Sequence, residues 1–354
     1  MKPTLVAIFV KNLTSGGAEK QAVLLAKALS ANYTVHFIVF NAGRTHVKYI
    51  ELIQDTPEIH LALFKGGHIT RFTQFCSYIT RNNIKLVFSY LTAANLYACL
   101  AGIITKKKVI TGLRNAELPI GKRVVDKFLT NHMAALTISN SFSGRNNFVS
   151  QGFNGEKVYV IPNCFDDITP YSHPKSSDMT TIITVGRFVE QKDYKTAIKS
   201  VAEIYAENKS IHFIIIGFGK LEQKIREWVK GEGIAEITDI FINPDNVPNY
   251  LSKADIYLST SLFEGTSNSI MEAMNANLPI VATNVGDNSY LVKDGENGFL
   301  AGEKDIKALA HHLKTLISNK ATRLQFGRRS KEILLENYSL DIFKERYIQV
   351  IKAL

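Results

Sequence analysis

The chain has 354 residues, 45% of them hydrophobic and 21% charged, with 9 prolines. That is enough apolar material for two ordinary cores, and it excludes a disordered or fibrous chain. The formal net charge of +10 is unevenly held: residues 1–165 carry 19 Lys and Arg against 7 Asp and Glu, whereas residues 166–354 carry 23 against 25. A basic first half implies an anionic partner there, unless the charge is simply solvated. The three cysteines, Cys76, Cys99 and Cys164, are odd in number and scattered. They form neither a disulfide framework nor a zinc knuckle and suit a reducing cytosol. LVAIFV at 5–10 is too short for a secretory leader and runs into a Gly-Gly turn. No run approaches the ~18 apolar residues of a spanning helix; the longest, about 96–104, reads as a buried helix.

In chain order, strand-like runs at 5–10, 35–40, 59–63, 86–89, 108–111, 136–139 and 158–161 alternate with helical patterns. The helices are expected from the Gly-Gly turn to 29 and at 72–81, 93–104, 124–132 and 141–149. A polar stretch with three prolines, 162–179, breaks the rhythm and reads as a linker. The rhythm then restarts, with strands at 182–185, 212–216, 240–242, 256–259 and 280–282. Its helices are expected at 194–206, 221–230, 268–275, 305–318 and 321–336, and a helical run at 340–354 closes the chain. This alternation predicts an α/β protein of two Rossmann-like parallel-sheet domains facing a central cleft. The expected boundaries are a first domain at 1–165, a linker at 166–179, a second domain at 180–338, and a last helix at 339–354 returning to the first domain.

Three segments carry chemistry. Ser15-Gly16-Gly17-Ala18-Glu19 follows the first strand and opens a helix, an arrangement that offers backbone N–H groups and the helix dipole to an anion. It lacks the third glycine of a dinucleotide fingerprint and the Gly-Lys-Ser/Thr ending of a P-loop, and a tight turn is the plainer alternative. Gly217-Phe218-Gly219 is weaker still, since position 222 is Glu. In TVGRFVEQKD at 184–193, Arg187 and Lys192 follow the first strand of the second half; such a loop suits a diphosphate, with Arg forking onto two oxygens and Lys adding a point charge, and a solvated basic loop is the plainer alternative. In FEGTSNSIMEA at 263–273, Glu264 ends a strand segment, Asn268 and Ser269 open a helix, and Glu272 lies one turn in. Ser269-x-x-Glu272 also has the spacing of a capping box, which would make that glutamate a helix cap.

VGRF with QKD, then ADIYLSTSLFEGTSNSIMEAMNANLPIVATNVG and DGENGFL, resembles the retaining glycosyltransferases of the GT-B fold, glycosyltransferase family 4; GGAE and the IPN at 161–163 agree. The resemblance covers nearly the whole chain. It implies that Arg187 and Lys192 hold the donor diphosphate and that Glu264 sits against the donor sugar. Glu272 would hold the ribose, with the N–H groups of Asn268 and Ser269 adding to the phosphate site. Gly17 would approach the diphosphate from the first domain. The base-reading loop after Phe241 carries Asn243 where the family usually has glycine. Where many members have a histidine after the fifth strand, this chain has Arg114 and Asn115. Arg114 would pair with an acceptor phosphate or, structurally, with Glu117; with Glu19 and Asn115 it is assigned to the acceptor side.

The expected function is transfer of a sugar, with retention, from a nucleotide-sugar donor (a UDP-sugar first) to a glycan or polyprenyl-diphosphate-linked acceptor in cell-surface polysaccharide or glycoconjugate synthesis. No Asp-x-Asp occurs and the nine histidines show no ligand spacing, so no cofactor or essential metal is expected. The basic half would meet an anionic membrane, placing the protein in the cytoplasm and peripherally on the inner membrane face. Nucleic acid is not an expected partner, because no aromatic-interleaved basic run occurs. The alternatives are a non-catalytic sugar-nucleotide or glycan-binding module, and a transferase acting on a soluble sugar.

Overall fold

The computed structural model describes residues 5–14, 16–115, 117–169 and 179–354. Ser15 and most of the expected linker, 170–178, lie outside them. The chain forms two compact units, one of residues 1–166 with 340–354, the other of residues 167–339.

In the first unit the strands β1 (Leu5–Val10), β2 (Thr34–Val39), β3 (Ile59–Leu63), β4 (Leu86–Tyr90), β5 (Lys108–Leu113), β6 (Leu136–Ser139) and β7 (Val158–Val160) form one sheet. Its order is β3-β2-β1-β4-β5-β6-β7 and every pairing is parallel. The second unit holds β8 (Thr180–Val185), β9 (Ile211–Gly217), β10 (Thr238–Ile242), β11 (Ile256–Ser259), β12 (Ile280–Thr283) and β13 (Gly298–Ala301). These are again all parallel, in the order β10-β9-β8-β11-β12-β13. The architecture is the two-domain parallel α/β fold that the alternation predicts.

Parallel strands need crossover helices on both faces, so their side chains are buried on both sides. β1 shows the consequence. Val6, Ile8 and Val10 enter one core, with the helix Gly17–Ser30, while Ala7 and Phe9 enter the other, with the helices His68–Arg81 and Thr92–Thr105. The helix Leu340–Lys352 belongs to the first of these cores, where Phe343, Tyr347 and Val350 are buried. Gln21, buried in Gly17–Ser30, donates to the Cys164 carbonyl oxygen at 2.9 Å and accepts from the Cys164 N–H at 3.0 Å, pinning the end of the first stretch of this unit.

One expectation is overturned. The run 96–104 is not a buried helix: within Thr92–Thr105, Leu96, Leu100, Ile103 and Ile104 are exposed. The inward face is instead Ala94, Asn95, Ala98, Cys99, Ala101 and Gly102. Small residues let the helix lie close on the sheet; a Cβ on Gly102 would come within 2.6 Å of Val109. No room remains inside for the large side chains. The sequence reading also passed over the helix Val47–Gln54 and β13, and began the helix His68–Arg81 four residues late.

Two predictions follow from this packing. Phe343→Ala, in a fully enclosed site, should lower unfolding free energy by about 3 kcal/mol; an unchanged urea midpoint would show that the last helix contributes nothing to the core. His36, buried on β2, has Nδ1 2.9 Å from the Tyr78 hydroxyl and its ring 4.9 Å from that of His60. Burial first, and His60 second, lower its pKa from 6.5 to about 4. Between those values the unfolded chain binds a proton that the folded chain refuses, so stability falls as pH drops through the window. His36→Gln should remove that part of the slope when urea midpoints are compared at neutral and mildly acid pH; equal slopes in parent and variant would refute the assignment.

Candidate active site

In the second unit β8 lies between β9 and β11, so chain connections leave it in opposite directions and a crevice opens at the carboxyl ends of β8 and β11. The loop after β8 is Gly186-Arg187-Phe188. Phe188 is fully buried and the Tyr194 hydroxyl donates to the Gly186 carbonyl oxygen at 2.7 Å, which turns Arg187 outward into solvent. Arg187 makes no salt bridge among the described residues. The Gly217–Gly219 loop backs this one: a Cβ on Gly217 would lie 1.9 Å from the Gly186 oxygen, and Gly219 takes a φ of +146° beside Phe188. Those glycines therefore serve close packing of two loops.

The loop after β11 is tied to the short turn Glu190–Lys192. Thr260 Oγ1 donates to the carbonyl oxygens of Lys192 (3.1 Å) and Asp193 (2.9 Å). The Leu262 N–H donates to the Gln191 carbonyl at 2.8 Å, and Gln191 Nε2 to that of Phe263 at 2.8 Å. The result is that Lys192 Nζ meets Glu264 Oε1 at 2.5 Å, with side chains 16% and 9% exposed. Ser261 Oγ donates to the same oxygen at 2.7 Å. Lys192 and Glu264, 72 positions apart, thus share one site.

Asn268 and Ser269 form the first turn of the helix Asn268–Asn275. Its N-cap is Ser267, whose side chain makes no capping hydrogen bond, so the Ser269–Glu272 capping box does not form: both residues lie inside the helix. Tyr257 links the group. Its hydroxyl donates to the Val185 carbonyl at 3.1 Å. Burial raises its pKa far above the usual value, and the carboxylates of Glu272 and Glu264 push the same way, while a hydrogen bond with Ser269 opposes them. Asn243, where glycine was expected, takes a left-handed φ of +44°, which Asn tolerates better than most residues.

In the first unit the equivalent crevice lies between the ends of β1 and β4, where a pocket of about 270 Å³ opens. Its lining includes Asn12, Glu19, Tyr90, Arg114, Asn115 and Lys122. Gly16 is the N-cap of Gly17–Ser30, and Gly17 is exposed. The Glu19 carboxylate folds back onto that helix start: a Cβ on Gly16 would lie 2.3 Å from Glu19 Oε2, and Thr14 Oγ1 donates to Oε1 at 3.1 Å. Arg114 is buried. Its Nη2 donates to the Tyr347 hydroxyl at 2.9 Å and its guanidinium lies 4.1 Å from the Tyr90 ring centroid. Among the described residues its Nε and Nη1 have no hydrogen-bond partner, and it makes no salt bridge with Glu117. Leu91, at the pocket rim, holds a φ of +72°, a costly conformation for leucine. Asp126 accepts from Thr92 Oγ1 (2.5 Å) and Asn95 Nδ2 (2.9 Å), fixing the start of the next helix. Ser261, Tyr257, Tyr90 and Tyr347 were missed from sequence; only Ser261, three residues before Glu264, carried a local signal. No group of three or more His, Cys, Asp or Glu gathers as metal ligands among the described residues.

Comparison with known proteins identifies the family and agrees with the fold. The model for glycosyl transferases group 1 matches residues 166–333, and that for Glycosyltransferase Family 4 matches residues 15–167. Between them they cover nearly all of the chain, which belongs to these glycosyltransferases and has their GT-B fold. A solved structure of Anabaena HepE in complex with UDP superposes with a TM-score of 0.86 at 18% identity, covering 100% of both chains. The Campylobacter jejuni GalNAc-alpha-(1->4)-GalNAc-alpha-(1->3)-diNAcBac-PP-undecaprenol alpha-1,4-N-acetyl-D-galactosaminyltransferase is 22% identical, covering 98% of this chain and 98% of its own. The lipopolysaccharide core biosynthesis glycosyltransferase LpsE of Rhizobium meliloti is 22% identical over 50% of this chain and 51% of its own.

The close approach of Gly286 to Glu264 gives a test of the site's construction. Gly286 has a φ of +56°, and a Cβ there would lie 1.9 Å from the Glu264 carbonyl oxygen. Gly286→Ala should cost more than ~1 kcal/mol, whereas Gly231→Ala, with nothing within 4 Å, should be neutral or slightly stabilising. Equal melting temperatures for the two variants would contradict this packing.

Proposed function

We propose that the chain transfers a sugar from a UDP-sugar, with retention and without an essential metal, to a polyprenyl-diphosphate-linked glycan during cell-surface glycan synthesis. The observation that carries this reading is the juxtaposition of Lys192, Glu264 and Ser261 beside the exposed Arg187, at the crevice of the second unit. Arg187, Lys192 and the N–H groups at Asn268 and Ser269 hold the donor diphosphate and stabilise the charge that grows on it as it leaves. Glu264 faces the donor sugar and Glu272 the ribose. The bond from the anomeric carbon to the diphosphate oxygen breaks, and a bond to the acceptor oxygen forms on the same face. The acceptor proton passes to the departing phosphate oxygen.

The UDP bound to HepE supports the choice of base, and the undecaprenol named for the Campylobacter enzyme supports a lipid-linked acceptor. On the acceptor side, Glu19, Arg114 and Asn115 line the first unit's pocket, and the unpartnered Nε and Nη1 of Arg114 suit a phosphate. An acceptor of this kind places the protein at the cytoplasmic face of a membrane, and the basic first half suits an anionic surface there.

A thermal-shift panel of nucleoside diphosphates tests the donor site: UDP should raise the melting temperature most, as ligand binding to the folded state requires. Arg187→Ala should abolish that shift and lower turnover by roughly 30-fold, the equivalent of ~2 kcal/mol in a charge-assisted contact. Turnover within about threefold of the parent, or a product of inverted anomeric configuration, would overturn the reading.

A further inference from the structure

The helix Thr92–Thr105 has no charged side chain along its 14 residues, yet only one face of it is buried. Ile103 and Ile104 are 62% and 63% exposed, and Leu96 and Leu100 share the outer face. The helix Ile120–Phe128 packs against it and exposes Ile120 (71%), Val124 (62%) and Phe128 (56%), four residues apart and so in one stripe. Both helices lie on the same side of the first unit's sheet, where Cys99 and Val125 pack in the core of Phe9, so their outer faces point the same way. Single exposed apolar residues need no explanation, but a contiguous set marks a contact surface.

The charge around this set is predominantly positive. Residues 59–116 contain no Asp or Glu at all. Lys106, Lys107 and Lys108 follow the first helix, and Lys122 and Arg123 flank the stripe of the second. Asp126 is buried against Thr92 and Asn95, which leaves Glu117 as the one exposed acid between 92 and 128.

We propose that this face docks on a lipid bilayer carrying anionic headgroups. Ile103, Ile104, Ile120, Val124 and Phe128 enter the boundary of headgroups and acyl chains, and the lysines and Arg123 meet the lipid phosphates. The same two helices supply Thr92, Ala93, Ala94, Lys122 and Asp126 to the pocket of Arg114, so docking brings that pocket to the bilayer surface. Only this last step, delivery of a lipid-borne diphosphate to the pocket, rests on the transferase reading above.

The test is flotation with phosphatidylcholine vesicles, with and without phosphatidylglycerol, in the absence of donor and acceptor. The parent should float with the anionic vesicles and not with phosphatidylcholine alone, and should bind more weakly as salt rises. Ile104→Ser with Val124→Ser and Phe128→Ser should weaken binding about tenfold or more, with the melting temperature and its shift by UDP unchanged. Lys106→Gln with Lys107→Gln should weaken it several-fold and flatten the salt dependence. A parent that binds neither vesicle, or a triple variant that binds like the parent, overturns the proposal. So does a parent that fails to bind vesicles and sediments as a dimer which the triple variant breaks, since the face would then cover a second copy. A missing UDP shift in parent and variant alike would instead fault the transferase reading and leave the docking result standing.

Discussion

A parallel sheet cannot turn back on itself; every strand must be followed by a crossover, and crossovers in such sheets are right-handed. A strand whose neighbours are reached by connections running in opposite directions sends its helices to opposite faces, and the carboxyl ends of the central strands are left uncovered. β1, between β2 and β4, and β8, between β9 and β11, are the strands where this happens. Most of the side chains assigned to chemistry hang from those ends. Glu19 and the rim residue Leu91 follow β1 and β4, with Arg114 one strand over after β5; Arg187 and Lys192 follow β8, and Glu264 follows β11. The sheet order thus decides where chemistry can be placed before any particular residue is chosen.

Within that constraint the two units handle charge differently. In the second, Glu264 is nearly enclosed, and a carboxylate in that position needs compensation. It has Lys192 and Ser261 on a single oxygen, which leaves Oε2 for other donors. The pair is neutral as a whole, so the attraction of the crevice for an anion rests on Arg187 and on a helix start whose N-cap side chain makes no capping bond, with the Glu272 carboxylate opposing it. In the first unit the comparable helix start is covered by the protein's own Glu19 carboxylate, and the buried cation of the pocket, Arg114, is held by an aromatic ring and a hydroxyl rather than by an acid. An arginine positioned without a counter-charge keeps its attraction for an anion, where a salt bridge to Glu117 would have used it up.

The strands were legible because burial on both faces makes them read as continuous apolar runs, as in LVAIFV of β1 and HFIII of β9. β13 was not, since GFLA is four residues long and only Gly298 and Ala301 are buried. The helix Val47–Gln54 buries Ile53 alone, too little to leave a period. Arg187, Lys192 and Glu264 could be placed from sequence at the ends of strands, and Glu272 in the helix that follows, because the strands before them were legible. Their grouping was not legible: the contact of Lys192 with Glu264 depends on Thr260, Leu262 and Gln191, whose role is backbone hydrogen bonding that no side-chain pattern announces. Tyr347 was out of reach for a different reason. It meets Arg114 across 233 positions, after the whole second unit has intervened.

The misreading of 96–104 has a physical lesson of its own. A helix that is apolar all round is consistent with burial on every side, and hydrophobicity alone cannot distinguish that from burial on one side. Side-chain size can. Ala94, Ala98, Ala101 and Gly102 recur at helical spacing and mark the face that approaches the sheet closely, while Leu96, Leu100, Ile103 and Ile104 are too large for the gap those small residues create. A surface helix could satisfy the same inner packing with lysine or glutamate outside, and would be more soluble for it. That Thr92–Thr105 keeps aliphatic side chains outward, in a stretch free of acids and ending in three lysines, makes the outer face a constraint imposed from outside the fold.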